Sequence, residues 1–321
     1  MEKRIITVDL GGTKVLTALI NENAEIIARD KVPTDITKGN EHLVELVAGT
    51  VNSVLKQAVL NQTDITAIAM GVPGTVNPHT GIIGNAPNLG ISNYNIKEAL
   101  QKHFDIPVLI ENDVNLAALG IKYYEFKNDV KNMLVVFVGT GIGGALIFDN
   151  KLFRGSSFFA GEIGHMLIDS NGNLASTKKN SVAFESIASR TGMVKLINKD
   201  IKEGKASIIK TLAGKKGIKS KILATAVEKK DKVVVARVNE SCEIIGTVLG
   251  SIVTLTNLDT IVLGGGVIEA MGDYMKNHIE KAFKKAVLKE PGESCKIVVT
   301  ALGDDAPLYG GISLVEEFLG S

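Results

Sequence analysis

The sequence predicts a mixed α/β protein of two lobes that flank a central cleft. The chain has 321 residues, which is more than one hydrophobic core usually organises, so two lobes are expected. Strand and helix patterns alternate along it, and a strand-rich unit at the start returns in the middle. The apolar fraction of 45% is typical of a globular protein.

The predicted elements begin with a meander and continue with alternating helices and strands. Three β-rich runs, RIITVDL, VLTALIN and EIIARDKV, occupy residues 4–32 and are separated by the turn compositions GGTK and NENA. Apolar periodicity then predicts a helix over 41–60, a strand over 65–70, a helix over 96–104, a strand over 108–110, a helix from about Leu116, a helix over 232–258 and a strand over 260–263.

The opening meander has a counterpart in the middle of the chain. ITVDLGGTKVLTALINENAEIIAR is echoed by LVVFVGTGIGGALIFDNKLFRG, which starts at Leu134. Each copy is a buried strand, a Gly/Thr-rich turn, a second strand, a short polar turn and a third strand. Two copies of one supersecondary unit would place two glycine-rich turns opposite each other. A chance likeness of two hairpins is the alternative.

Composition and charge narrow the range of possible functions. The formal net charge is +1, from 36 basic and 35 acidic residues, so no overall field favours nucleic acid or an anionic membrane. Residues 195–232 hold twelve Lys and four acidic residues but no aromatic residue, which favours a solvated helical face. Two cysteines and a start without a leader pattern predict a cytoplasmic location. The longest uncharged stretch, 244–258, is too short to cross a bilayer.

Two glycine-rich turns are candidate phosphate-binding sites. They are DLGGTK at 9–14 and GTGIGG at 139–144. Glycine lets backbone N–H groups approach phosphate oxygens closely, and Asp9 could hold a magnesium ion through water. The first turn lacks the P-loop order and the second opens no helix, so neither matches a common nucleotide motif. Each turn taken alone could be a plain hairpin, whereas two facing turns would suit a triphosphate.

Three polar clusters are further candidates. ENDVN at 111–115 follows a strand and precedes a helix, where ligands bind in α/β sheets, although Asp113 or Asn115 could simply cap that helix. AGEIGH at 160–165 places an acid and an imidazole three residues apart, which suits hydrogen bonds to vicinal hydroxyls or, alternatively, a metal. NAPNL at 85–89 is a polar loop of a kind that is often functional.

Taken in order, these motifs resemble those of the bacterial ROK family of sugar kinases, above all its glucokinases, within the actin-like ATPase superfamily. The likeness covers nearly the whole chain: DLGGTK, GVPGTV, NAPNLG, ENDVN, GTGIGG, AGEIGH, LGGGV and the final DAPLYG. It implies an actin-like ATPase fold of duplicated ribonuclease H-like topology. The implied activity is ATP-dependent phosphorylation of a hexose hydroxyl, foremost of glucose to glucose 6-phosphate.

The resemblance also implies roles for individual residues. Asp113 would be the catalytic base that accepts the proton of the attacking hydroxyl. The sugar would be bound by Gly71, Asn88, Asn112, Asp113, Glu162, His165 and Glu185. ATP would be bound by Asp9, Gly11, Gly12, Thr13, Lys14, Thr140, Gly141, Gly143, Gly264, Gly265 and Gly266, with Mg²⁺ held by Asp9 through water.

The same resemblance implies the larger organisation. Residues 1–115 plus 300–321 would form a small lobe and residues 116–299 a large one, in keeping with ordinary domain sizes. Closure on the sugar would exclude water from the reaction. A homodimer is expected, with a hexose and ATP as partners and neither nucleic acid nor a membrane among them.

One loop departs from the family pattern. Family members usually follow the Gly-His pair with a Cys-X-Cys-Gly-X-X-Gly-Cys-X-Glu loop whose zinc also binds that His. The corresponding stretch here is NGNLASTKKNSVAFES, in which Ala175, Thr177 and a residue near Val182 replace the cysteines and only Glu185 is retained. Without thiolates this tetrahedral site cannot be assembled, so no structural zinc is expected.

Other functions within and beyond the family stay open. The acceptor could be N-acetylmannosamine or fructose, because similar scaffolds serve several sugars. The chain could also be a sugar-binding regulator without catalysis. Repressors in the family carry a DNA-binding domain ahead of the kinase-like part, whereas the DLGGTK strand here begins within the first ten residues and leaves no room for a helix-turn-helix.

Overall fold

The computed structural model describes residues 3–175, 177, 179, 181–214 and 217–320. The chain forms two compact units. Unit 1 comprises Met1–Val130, Asn150–Ala160 and Asp304–Ser321, and unit 2 comprises Lys131–Asp149 and Gly161–Gly303. The predicted lobes have other boundaries, and they stay a prediction.

The elements follow one another as strands and helices throughout the chain. The strands are β1 (Ile5–Leu10), β2 (Lys14–Ile20), β3 (Ile26–Pro33), β4 (Ala67–Val72), β5 (Thr75–Asn77), β6 (Ile82–Ala86), β7 (Ile91–Asn95), β8 (Val108–Asn112), β9 (Met133–Val138), β10 (Ile142–Phe148), β11 (Lys151–Phe153), β12 (Leu167–Ile168), β13 (Val182–Ala183), β14 (Thr260–Gly264) and β15 (Lys296–Val299). The helices are α1 (Asn40–Ala58), α2 (Ile96–Gln101), α3 (Asp113–Tyr124), α4 (Glu185–Ala188), α5 (Arg190–Lys202), α6 (Ile209–Ala213), α7 (Ser220–Glu228), α8 (Lys232–Thr256), α9 (Gly266–Ala286), α10 (Lys289–Ser294) and α11 (Ala306–Leu319).

The central sheet of unit 1 has the strand order β3–β2–β1–β4–β8. The hairpin pairs β1–β2 and β2–β3 are antiparallel, and the pairs β1–β4 and β4–β8 are parallel. β4 is buried along its whole length, as expected of a parallel strand that is covered on both faces. α1 packs on β2, where the buried hydroxyls of Thr17 and Thr50 lie 2.7 Å apart.

Two helices of unit 1, α3 and α11, touch at their backbones. A Cβ atom at Gly120 would overlap the carbonyl oxygen of Ala306, and one at Gly310 would overlap that of Leu116. Such close approach is open only to glycine. α11 also packs on β1 and β4, so α3 is held against the sheet edge that carries the candidate site.

The central sheet of unit 2 includes the strand order β10–β9–β14–β15. β9 and β10 are antiparallel, whereas β9–β14 and β14–β15 are parallel. This is the order and direction of β2–β1–β4–β8 in unit 1. The internal repeat that the sequence predicted is therefore confirmed as a repeat of sheet topology.

The helix α8 holds the uncharged stretch 244–258 that the sequence assigned to a buried helix, apart from its last two residues. Among the described residues, α8 alone meets the length and composition of a membrane-crossing helix, and 61% of its most apolar window is buried inside the protein. A Cβ atom at Gly246 would overlap the backbone of α9. α8 thus packs tightly on α9, as the core helix of unit 2.

Candidate active site

The carboxyl ends of three parallel strands bring the candidates of unit 1 together. β1 pairs Asp9 with Gly71 on β4, and β4 pairs Gly71 with Glu111 on β8. A Cβ atom at Gly71 would lie 3.3 Å from the Cα of Asp113. Gly71 therefore lets the first turn of α3 approach the sheet, which places Asp113 beside the strand ends.

The junction of β8 and α3 differs from the prediction. α3 begins at Asp113 and not near Leu116, because Asn112 caps it: Asn112 Oδ1 accepts the N–H groups of Val114 and Asn115 at 2.9 and 3.0 Å. The capping role considered for Asp113 or Asn115 thus belongs to Asn112. Asp113 Oδ1 accepts the N–H of Val114 at 2.9 Å.

A second bond fixes this junction. Asn112 Nδ2 donates to the carbonyl oxygen of Gly74 at 3.0 Å. Gly74 has a φ of 89°, and a Cβ atom there would overlap the carbonyl oxygen of Asn85. The segment that carries GVPGTV is therefore attached both to the cap of α3 and to Asn85 in β6.

The first glycine-rich turn lies next to the 3-10 turn Pro87–Leu89, which follows β6 where the sequence predicted a polar loop. Gly11 N–H donates to the carbonyl oxygen of Lys14 at 2.9 Å and so closes the turn. A Cβ atom at Gly12 would lie 2.8 Å from the carbonyl oxygen of Asn88. The N–H groups of Gly12 and Thr13 have no hydrogen-bond partner within the described part of the chain. Adjacent free backbone donors of this kind suit an anion such as phosphate.

The electrostatics at this edge suit a divalent cation. Burial, and then the neighbouring Asp113 carboxylate, raises the pKa of Asp9 to about 7, although Lys14 opposes the shift. Lys14 Nζ itself pairs with Asp304. A cation would relieve the repulsion between the two carboxylates. Among the described residues no three His, Cys, Asp or Glu side chains cluster, so Mg²⁺ would take its other ligands from water and phosphate, as it usually does.

The second glycine-rich turn joins β9 and β10 in unit 2. Thr140 Oγ1 accepts a bond of 2.7 Å from Arg190 Nη2. Glu185 Oε2 accepts the N–H of Ile142 at 3.1 Å, and a Cβ atom at Gly141 would overlap this carboxylate. Glu185, which was predicted to bind sugar, therefore also holds the turn that was predicted to bind ATP.

The acid and the imidazole of AGEIGH lie beside this turn. His165 Nε2 is 3.9 Å from Glu162 Oε2, and the imidazole is 70% exposed. Burial raises the pKa of Glu162, with Glu185 adding to the shift and His165 opposing it. Gly164 packs on β10, because a Cβ atom there would overlap the carbonyl oxygen of Ile142. Glu162, His165 and Glu185 thus form one polar group.

The stretch in place of the zinc loop is described in part. Residues 176, 178 and 180 lie outside the described residues. The absence of a structural zinc stays a prediction that follows from the missing cysteines.

The glycine run at the end of β14 adjoins the second turn. On β9, Phe137 pairs with Gly143 on one side and with Gly264 on the other. Gly265 has a φ of 86°, and a Cβ atom there would lie 2.9 Å from the backbone of Val138. Gly266 begins α9, and a Cβ atom there would meet only the Ser220 hydroxyl, at 3.7 Å. Open space therefore exists at Gly266, whereas a Cβ atom at Gly264 would overlap the Phe137 ring.

The predicted site residues therefore form two groups, one in each unit. Unit 1 holds Asp9, Gly11, Gly12, Thr13, Lys14, Gly71, Asn88, Asn112 and Asp113. Unit 2 holds Thr140, Gly141, Gly143, Glu162, His165, Glu185, Gly264, Gly265 and Gly266.

The sequence interpretation missed several side chains that hold these groups. Arg154 donates to the buried Glu111, which is 43 positions away in the chain. Arg190 supports Thr140 from a distance of 50 positions, and Asp304 pairs with Lys14. No short motif or periodicity connects such distant residues. A buried acid next to the candidate base, Glu111, was the one available signal, because a buried carboxylate requires a partner.

Comparison with known proteins matches the family model "ROK family" to residues 5–318. A glucokinase of Halalkalibacterium halodurans is 28% identical over 313 residues, covering 97% of this chain and 94% of that protein. The xylose repressor of Caldicellulosiruptor bescii is 28% identical over 311 residues, covering 97% of this chain and 77% of the repressor.

Among solved structures, a ROK family glucokinase from Streptomyces griseus, crystallised with glucose and AMPPNP, has the same fold. It superposes with a TM-score of 0.81 at 25% sequence identity, covering 98% of this chain and 99% of that chain.

Proposed function

We propose that this chain, which belongs to the ROK family and has the actin-like ATPase fold, is an ATP-dependent hexose kinase. Sugar kinases among its relatives support this class of activity. The observation that carries the proposal is the edge of unit 1 where Asp9 and Asp113 lie beside a turn with free backbone N–H groups. Phosphoryl transfer requires a base, a ligand for the cation and hydrogen-bond donors that bind the phosphates.

In this proposal Asp113 is the general base. It accepts the proton of the attacking sugar hydroxyl while the oxygen of that hydroxyl attacks the terminal phosphorus of ATP. Asn112 and Gly71 position Asp113, since one caps its helix and the other gives that helix access to the sheet. Positioning and charge stabilisation supply most of the rate in such reactions.

The nucleotide is proposed to bind through backbone donors. Gly12 and Thr13 in unit 1 offer free N–H groups, with Gly11 closing their turn. Phosphate contacts are also proposed for Lys14, Thr140, Gly141 and Gly143, and adenosine contacts for Gly264, Gly265 and Gly266. Bound Mg²⁺ would neutralise charge on the transferred group, and Asp9 would hold it through water.

Glucose is the proposed acceptor. Glucokinases are among the relatives, and the Streptomyces griseus glucokinase was crystallised with glucose. In this protein the hydroxyls of glucose would be bound by Asn88, Asn112, Glu162, His165 and Glu185. N-acetylmannosamine and fructose are the alternatives, since pocket shape decides between sugars on one scaffold.

A regulator without catalysis is the second candidate. The match to a xylose repressor over 97% of this chain favours it, whereas the presence of Asp9, Asp113 and both glycine turns favours a kinase. We further propose that the protein acts in the cytoplasm and as a homodimer, by likeness to the family.

A panel assay tests the proposal. Purified protein with MgATP is incubated with glucose, N-acetylmannosamine and fructose in turn, ADP release is followed by a coupled assay, and the product is weighed by mass spectrometry. We expect ADP release that depends on glucose and a product heavier by one phosphoryl group. Sugar binding by calorimetry without ADP release from any hexose would instead establish a regulator.

A further inference from the structure

We propose that Arg154 is a positioning residue for Asp113, acting through polar contacts centred on the buried Glu111. The inference rests on the proposed function, in which Asp113 is the base. The contacts join four side chains, called here the Glu111 network: Glu111, Asn115, Arg154 and Glu317.

Glu111 is a buried carboxylate at the strand–helix junction. Its side chain is 2% exposed. Oε1 accepts the N–H of Asn112 at 2.9 Å and Nδ2 of Asn115 at 3.0 Å. Asn112 is the last residue of β8 and Asn115 lies in the first turn of α3, so this one oxygen connects the two elements. Asp113 lies between them.

Arg154 supplies the positive charge that makes this burial tolerable. Its Nε donates to the second oxygen of Glu111, Oε2, at 2.6 Å, and the arginine side chain is 12% exposed. A buried carboxylate that loses its charged partner is left uncompensated, which strongly destabilises the fold around it. The Arg154 guanidinium therefore compensates the charge of the Glu111 carboxylate at the junction.

Arg154 is itself held from the opposite side. Both terminal nitrogens donate to the Glu317 carboxylate, at 2.5 and 2.9 Å, and the guanidinium lies 5.6 Å from the centre of the Phe318 ring. A forked guanidinium–carboxylate pair fixes direction as well as distance. Glu317 is on α11, the helix that contacts α3 at Gly120. The Glu111 network thus connects α11 to the end of β8 and to the first turn of α3.

Loss of Arg154 would displace the junction. The uncompensated Glu111 carboxylate would reorient to accept hydrogen bonds from water or from other donors. Asn112 and Asn115, which are bonded to it, would be displaced as a result. A shift of about 1 Å at a reacting group can cost about 100-fold in rate. Turnover should therefore fall, while ATP binding, which uses other residues, should change little.

Three variants test the network by enzyme kinetics. Arg154→Met removes the charge at similar volume, and Glu111→Gln places an amide N–H against the Arg154 N–H, so both should lower kcat about tenfold or more with KM for ATP within about twofold. The double variant Glu111→Gln/Arg154→Gln replaces the ion pair by two amides. Because the terminal amide of glutamine lies at the position of the arginine Nε, the amide introduced at position 154 can accept from the one introduced at position 111, and kcat should return to within about threefold of wild type.

A matched control exists in unit 2. Arg237 likewise joins a buried carboxylate, Asp200, at 2.6 Å to the half-exposed Glu240 at 2.6 Å. Arg237→Met should lower the melting temperature less than Arg154→Met does, because Lys205 still pairs with Asp200, and it should leave kcat within about twofold of wild type. If Arg154 has a purely structural role, the loss of kcat should follow the loss of melting temperature in the same way in both variants.

Hydrogen exchange measures the junction without relying on activity. The N–H groups of Asn112, Val114 and Asn115 are bonded to Glu111 or to the cap. We expect their exchange to become about tenfold faster or more in Arg154→Met, to return in the double variant and to be unchanged in Arg237→Met.

The outcomes separate the two proposals. If wild type is an active kinase but Arg154→Met keeps its kcat, or the double variant recovers nothing, Arg154 does not position the base and the inference is overturned. If wild type phosphorylates no hexose, the proposed function fails, and the exchange rates alone decide whether Arg154 fixes the junction.

Discussion

Asp113 starts α3 with its carboxylate bonded to the N–H of Val114, and this geometry allows a clean test of the base. Asp113→Asn keeps an oxygen that can accept the same bond, so the fold should persist, but the amide cannot take a proton. We expect kcat to fall about 100-fold or more, with KM for ATP little changed. Steady-state kinetics with glucose and MgATP measure both.

A control for Asp113→Asn is available in the same unit. Asp35 also accepts a backbone bond, from Thr37 at the start of a 3-10 turn, and Asp35→Asn should leave turnover unchanged. Near-normal kcat in Asp113→Asn would remove Asp113 from the role of base.

The Asp9 carboxylate destabilises the folded protein in a pH-dependent way, and a substitution should reveal this effect. Its pKa is raised from 3.8 to about 7 by burial and by Asp113, so the folded protein binds this proton more tightly than the unfolded chain. Stability contributed by the protonated group is therefore lost as the pH rises from about 4 to about 7. Asp9→Asn should stabilise the ligand-free protein by about 2 kcal/mol at pH 8, where one pKa unit corresponds to about 1.4 kcal/mol.

Urea unfolding without nucleotide or Mg²⁺ at pH 8 and at pH 5 measures this effect. The gain should shrink at pH 5, because folded Asp9 is then protonated. Asp105→Asn, at an exposed carboxylate, is the control. A less stable Asp9→Asn at pH 8 would contradict the raised pKa. The same variant should lose kinase activity, since a functional site often carries such a stability cost.

At the scale of elements, the contact of α3 with α11 depends on two glycines. Gly120→Ala would place a methyl group on the carbonyl oxygen of Ala306, and overpacking against backbone typically costs about 1–3 kcal/mol or more. Gly49→Ala is the control, because Gly49 lies exposed within α1 with no atom within 4 Å of an added Cβ. It should stabilise by about 0.5–1 kcal/mol. Chemical unfolding of both variants measures the difference, and a Gly120→Ala protein as stable as wild type would disprove the tight contact.

The junction of β8 and α3 shows which features of the structure could be predicted from the sequence. The mixed α/β class and the internal repeat followed from apolar periodicity and the echoed segment, and the actin-like fold followed from the resemblance of the short motifs; the sheets and the fold comparison confirm them. The strands β5, β6 and β7 were not predicted. The start of α3 was placed about three residues late, because its first turn is polar and carries no apolar period. Asn112 was recognisable as a capping residue type, yet Asp113 and Asn115 were equally good candidates.

Long-range side-chain contacts could not be predicted in this way. The pairs of Arg154 with Glu111 and with Glu317 span 43 and 163 positions, and the pair of Lys14 with Asp304 joins the two ends of the chain. Each depends on sheet register and helix packing, which a local pattern does not encode. The two glycine-rich turns, in contrast, could be recognised from the sequence, because a turn depends on a few adjacent residues and on the backbone freedom of glycine.

For the molecule as a whole, charge argues against a role on DNA. The chain has 36 basic and 35 acidic residues, and non-specific DNA binding depends on an excess of positive charge. Around the lysine-rich segment 195–232, Lys205 and Arg237 are paired with Asp200, and Lys199 lies 3.9 Å from Glu203. Part of its charge is therefore neutralised within the protein.

We accordingly expect no DNA binding of the kind a repressor shows, although a xylose repressor is among the relatives. Fluorescence anisotropy of a labelled 20-bp duplex (a length chosen on the order of an operator site) should show no complex below roughly 100 μM protein at physiological salt, the weak end of non-specific binding. The measurement is repeated at low salt and with glucose, because a regulator would respond to its sugar. A micromolar dissociation constant that weakens steeply with salt would contradict this expectation. Since phosphate contacts are the source of such salt dependence, that result would also favour the regulator over the kinase.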